Sequence, residues 1–126
     1  MHDRVSKMTT RRKQVSDLIY KVLIGKIDVQ TAIREYPSHE GDYSLVAAWH
    51  ALMHYEADEE LRKKDQIYAD LQNENLEFIA EELSKGADLP NNLIKEYIDF
   101  YDDTLSPKKN SWKNLWGIFK RPLNLR

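Results

Sequence analysis

Cysteine is absent from the 126 residues. That excludes a disulfide framework, a cysteine zinc knuckle and a thiol nucleophile, and it favours an intracellular home. Glycine and proline are scarce, four of each, spread along the chain. Glycines so dispersed cannot form a phosphate-cradling or dinucleotide loop, and no Gly-x-Ser-x-Gly elbow is present. Apolar runs are only a few residues long, far short of a membrane span. The opening Met1-His2-Asp3-Arg4 lacks the apolar stretch of a signal peptide, so the expected location is cytoplasmic. Met8 is an alternative start to Met1. Period-2 alternation and strand-turn-strand signals are almost absent, which argues against a sheet. After Asp103 there is no acidic residue at all.

What is present reads as an ordinary globular chain, 41% hydrophobic and 32% charged, long enough to bury a core without covalent staples. The formal net charge of −2 hides three blocks. Residues 1–13 carry five basic side chains and one acidic, residues 14–104 eight basic and twenty acidic, and residues 105–126 six basic and none acidic. An acidic body repels nucleic acid and anionic membrane, while the two ends attract them. The division expected from this is a flexible N-terminal extension (1–8), an acidic helical-bundle domain (9–104) and a basic aromatic C-terminal tail or helix (105–126).

Apolar periodicity and capping residues give the fold class: all-α, a small bundle of about five helices plus a short amphipathic C-terminal helix. The first helix is predicted from a cap at Thr9 or Thr10 to Ile24, ended by Gly25 with Ile27 closing the turn. Asp28 caps a short second helix that stops at Pro37. A third starts near Asp42. The charged run 58–65 predicts a kink or short loop. Asp65 then caps the longest helix, Gln66 to Lys85, which Gly86 terminates. Pro90 opens a helix reaching about Asp103, and Ser111 caps a last one reaching Arg121.

The predicted core comprises Leu18, Ile19, Val22, Ile33, Leu45, Trp49, Leu52, Leu71, Phe78, Ile79, Leu83, Ile94 and Ile98. On the longest helix the apolar arc runs unusually wide, from Ile67, Leu71 and Phe78 round to Leu76, Ile79 and Leu83. So wide an arc implies more than one neighbour, or a second subunit.

Four constellations carry the functional expectations. In the C-terminal segment, Trp112, Leu115, Trp116 and Phe119 share one side of a helical wheel, with Lys113 and Lys120 on the other. Such a segment suits a partner's groove or, through residues 111–121, an anionic membrane surface. The competing explanation is a last core helix of the bundle. On the longest helix, Asp70, Glu74, Glu77 and Glu81 recur at i, i+4, i+7 and i+11, a ridge suited to a basic partner, to the chain's own ends, or simply to solvent.

His50 and His54, four apart on one helix, have the spacing of paired metal ligands, with His39, Glu40, Glu56 and Asp58 near in sequence. Ala51 stands where a helical zinc hydrolase needs glutamate, and no glutamate precedes either histidine by three, as a di-iron bundle requires. The fourth is a helix-turn-helix length around Gly25, with Arg11, Arg12 and Lys13 nearby. Its second helix offers only Gln30 and Arg34 for base edges, so sequence-specific nucleic-acid binding is not expected.

The preferred reading is a non-catalytic binding or adaptor module with a protein partner and no cofactor, using the acidic helix face and the aromatic tail. Homo-oligomerisation and peripheral membrane contact are further expectations. The alternative is a metal-dependent enzyme or metal-binding bundle centred on His50 and His54.

Overall fold

The computed structural model describes the backbone of residues 2–103 and the side chains of residues 6–97. The architecture is all-α. Six helices follow in order: α1 (His2–Leu23), α2 (Val29–Arg34), α3 (Tyr43–Ala57), α4 (Glu59–Lys64), α5 (Gln66–Ser84) and α6 (Asn91–Asp103).

Local signals set most boundaries. Asp28 receives the Thr31 N–H at 2.8 Å, and Asp65 receives that of Tyr68 at 3.1 Å. Asp42 accepts from the N–H groups of both Ser44 and Leu45. Each carboxylate satisfies donors that the first helical turn leaves free and sits at the positive end of the helix dipole. At the far end of α1, the Lys26 N–H returns to the Lys21 carbonyl at 2.8 Å around Gly25, whose φ is +77°. That is the glycine-dependent closure the sequence implies.

Two boundaries differ from expectation. The first helix begins at His2, not at Thr9 or Thr10. Nothing in residues 2–8 breaks a helix, and Thr9 is not a cap. Its side chain lies against Gly86, where an added Cβ would come within 3.0 Å of Thr9 Cγ2. The kink or short loop expected at 58–65 is a break at Asp58 followed by the short α4. Glu59 and Glu60 occupy its first turn and Arg62, Lys63 and Lys64 its last, the charge order that a helix dipole favours. The tail helix expected from Ser111 lies outside the described residues.

The central packing joins α1 to α5, elements far apart in sequence. They run antiparallel: Thr9 lies beside Gly86, and Ser16 Oγ donates to the Ala80 carbonyl at 2.7 Å. Small buried residues at that crossing let the two backbones approach. The third helix packs on α2, α5 and α6, so it forms the middle of the bundle. Val15, Leu18, Ile19, Leu45, Leu52, Leu76, Ile79, Leu83 and Leu89 make up the interior.

The predicted core needs three corrections. Leu71 and Phe78 are 53% and 41% exposed, because α1 takes the other side of α5, where Ala80 is fully buried beside Ser16. Trp49 is half-buried. It stacks on His39 at 5.0 Å between ring centroids, with Tyr36 edge-on at 5.1 Å, and so pins the Pro37–Gly41 loop. Ile33 and Ile94 pack partly buried at the margin. The side chain of Ile98 lies outside the described residues.

One buried ion pair locks three segments. The Arg12 guanidinium donates twice to Asp42, once to the Gly86 carbonyl, and pairs with Asp88 at 2.9 Å. It thereby ties α1 to the start of α3 and to the α5–α6 loop. Leu89 N–H donating to Ser44 Oγ at 2.9 Å closes the same junction.

Candidate functional site

The outward face of α5 carries the most distinctive surface. Residues turn by about 100° each, so Ile67, Leu71 and Phe78 fall within roughly 40° of one another. All three are exposed, Ile67 at 74%. Glu74, Glu81, Asp70 and Glu77 occupy the next arc, roughly 60° wide. These carboxylate side chains are also exposed. Asp70 accepts from Gln66 Nε2 at 2.9 Å, but none of the four joins an ion pair among the described residues. An apolar strip thus runs beside an acidic edge along the helix.

On the strip's other flank, Tyr68, Gln72 and Asn75 turn toward α6. With Leu71, Leu76, Ala51, His54, Leu93, Glu96 and Tyr97 they line an open cleft of about 200 Å³. Leu71 belongs to both the strip and the cleft, which makes the two one continuous surface. The cleft floor is fixed by a polar cluster. Asp58, 1% exposed, receives Tyr68 Oη and, at 3.1 Å, Gln72 Nε2. Arg62 donates to Gln72 Oε1 at 2.8 Å and to the Tyr55 carbonyl, with its guanidinium 3.5 Å over the Tyr55 ring. Tyr55 Oη in turn donates to Asn73 at 2.8 Å. Burial, reinforced by Asp58, pushes the Tyr68 phenol above its ordinary value, so it stays protonated as a donor.

His50 and His54 are each 5% exposed. Both rings lie against Tyr97, at 6.4 Å and 5.7 Å between centroids. Burial lowers the His50 pKa to about 4, with a smaller contribution from His39, and lowers that of His54 to about 3, with His50 contributing. Three of the four residues expected to join them are engaged elsewhere: His39 stacks on Trp49, Glu56 accepts from Gln30, and Asp58 from Tyr68 and Gln72. Among the described residues no group of three or more His, Asp or Glu side chains is placed to hold a metal ion.

The basic triplet near the start of the chain does not form one surface. Arg12 is buried in its ion pair, Arg11 is half-buried and Lys13 points to solvent. Trp112, Lys113, Leu115, Trp116, Phe119 and Lys120 lie outside the described residues. No helix among the described residues is long and apolar enough to cross a membrane.

The acidic edge was legible from spacing alone. The cleft was not, although Tyr68, Gln72 and Asn75 at i, i+4 and i+7 mark a polar stripe beside Leu71 that hinted at it. Its other wall comes from α3 and α6, which no local pattern places there. No protein-family model, curated protein or solved structure matches this chain.

Proposed function

We propose that this protein is a non-catalytic binding module that docks a basic, apolar-bearing segment of a protein partner along α5. The observation that carries this reading is the exposed strip Ile67, Leu71 and Phe78, bordered by four carboxylates and opening into a cleft at Leu71. An exposed apolar patch with a polar border is a common form of interaction surface. A cleft beside it gives a large side chain a desolvated seat, the arrangement that concentrates binding energy. The acidic edge selects a cationic partner and speeds encounter. An amphipathic helix laid in such a groove presents anchors at i, i+3, i+4 and i+7.

The test uses a labelled 18-residue amphipathic helical peptide of lysine and leucine, titrated by fluorescence anisotropy. The titrated proteins are the full chain and a full chain with Trp112→Ser, Trp116→Ser and Phe119→Ser. In at least one of them the peptide binds, and Leu71→Asp with Phe78→Asp weakens it tenfold or more without lowering the melting temperature. Absence of binding to both proteins, or affinity indifferent to Leu71 and Phe78, removes the reading.

A further inference from the structure

We infer that the resident occupant of the α5 face is the chain's own segment 111–121, which covers the strip and competes with the external partner. This inference rests on the docking reading above and names one ligand for the same surface. Three features select that segment. The first is charge. Residues 105–126 hold six basic side chains and no acidic one, while Asp70, Glu74, Glu77 and Glu81 have no ion-pair partner among the described residues. The nearest cation on α5's own end, Lys85, is already turned to Glu82 at 3.4 Å.

The second feature is apolar complementarity. Trp112, Leu115, Trp116 and Phe119 recur at i, i+3, i+4 and i+7, the anchor pattern of a helix lying in a groove. Lys113 and Lys120 fall on the flank next to Trp116, roughly 40–60° away, so such a helix brings its lysines beside, not under, its aromatic anchors. The strip beside its acidic edge on α5 is the reciprocal pattern. An indole is a suitable occupant for the cleft walled by Leu71, Leu76, Leu93 and Tyr97.

The third is reach. The last described helix ends at Asp103, which leaves residues 104–110 as the connection. Seven residues span up to about 23 Å when extended. The α5 stripe from Ile67 to Glu81 is about 21 Å long, and eleven helical residues cover about 16 Å. The connection is thus comparable in length to the stripe along which the segment would lie. Such an isolated segment is too short to hold helical structure alone in water, so folding and docking are one event. Screening by salt weakens the contact, which makes it releasable.

Three measurements on the full chain test this. In the peptide titration, the Trp112→Ser, Trp116→Ser, Phe119→Ser protein binds the external peptide at least tenfold more tightly than the wild type. Equal affinity overturns self-occupancy while leaving the docking reading intact. Loss of all peptide binding overturns both. In the second measurement, carbodiimide joins lysines to contacting carboxylates in a mixture of unlabelled and ¹⁵N-labelled chains. Links from Lys113 or Lys120 to Glu74, Glu77 or Glu81 within one isotopic chain support the inference. Links only between differently labelled chains, or no links to α5, overturn it. Binding of the wild-type chain to phosphatidylserine vesicles that is unaffected by Glu74→Lys, Glu77→Lys and Glu81→Lys also overturns it. It would mean that the segment faces lipid whatever the charge on α5.

Discussion

Arg12 and Asp42, thirty positions apart, meet through two N–H···O contacts of 3.0 Å each. Both residues are buried, at 6% and 3% exposure, and Asp42 simultaneously caps α3. A buried charge that loses its partner is costly, because the survivor keeps its desolvation without compensation. Arg12→Ala is therefore expected to lower stability by about 3–5 kcal/mol. Arg12→Lys should recover only part of this, since an ammonium cannot reproduce the two-point fork. Urea unfolding of Arg12→Ala, Asp42→Ala and the double variant checks the coupling. A double variant equal to the sum of the singles would mean the pair contributes nothing jointly.

Gly25 and Gly86 share a left-handed φ, +77° and +74°, yet differ in surroundings. Nothing lies within 4 Å of a Cβ added at Gly25, whereas at Gly86 it meets Thr9 Cγ2 at 3.0 Å. Gly25→Ala should cost only the backbone term, about 1–2 kcal/mol. Gly86→Ala should cost more, and Thr9→Ser should restore the difference by removing the opposing methyl. Thermal melts of the three variants give the answer. Equal losses at the two glycines would show that the Thr9 contact is yielding.

The buried histidines set an acid limit on stability. Their folded pKa values, about 4 for His50 and about 3 for His54, lie below the ordinary 6.5. The unfolded chain therefore takes up protons first as pH falls, and stability drops with it. The contribution is complete above pH 6.5 and is lost progressively down to about pH 4 for His50 and about pH 3 for His54. At about 1.4 kcal/mol per pKa unit, the loss is on the order of 3 kcal/mol for His50 and 5 kcal/mol for His54. His54→Phe keeps a ring against Tyr97 but cannot titrate, so its unfolding free energy should fall less steeply between pH 6.5 and 4. An unchanged slope would place the acid sensitivity elsewhere.

The same burial bears on metal binding. With both rings held against Tyr97, added zinc is expected to leave the melting temperature unchanged, and elemental analysis of the purified chain should find no stoichiometric transition metal. Stoichiometric zinc that disappears in His50→Ala would instead establish the histidine pair as a metal centre.

How much of this was legible in sequence depends on the range of the interaction. Asp28, Asp42 and Asp65 were readable as caps because a cap acts within three residues of itself. Gly25 and Gly86 were readable as terminators because a positive φ is a property of the residue. The acidic recurrence from Asp70 to Glu81 followed from helical geometry. Thr9 was misread as a cap because its actual role, packing against Gly86, is invisible locally. Arg12 resembled one more surface cation until its partner at position 42 came into place.

By itself, the sequence determined the helical class, most of the helix ends and the segregation of charge, all consequences of short-range backbone chemistry and composition. Only the tertiary structure decided which side of α5 faces inward. Leu71 and Leu76 are equally apolar, and periodicity assigns both to one wide arc. The seating of α1 and α3 on α5 buries Leu76 and leaves Leu71 outside, because each helix can bury only the sides its neighbours cover. That choice, made by contacts between residues some seventy positions apart, creates the strip and the cleft on which the proposed binding depends.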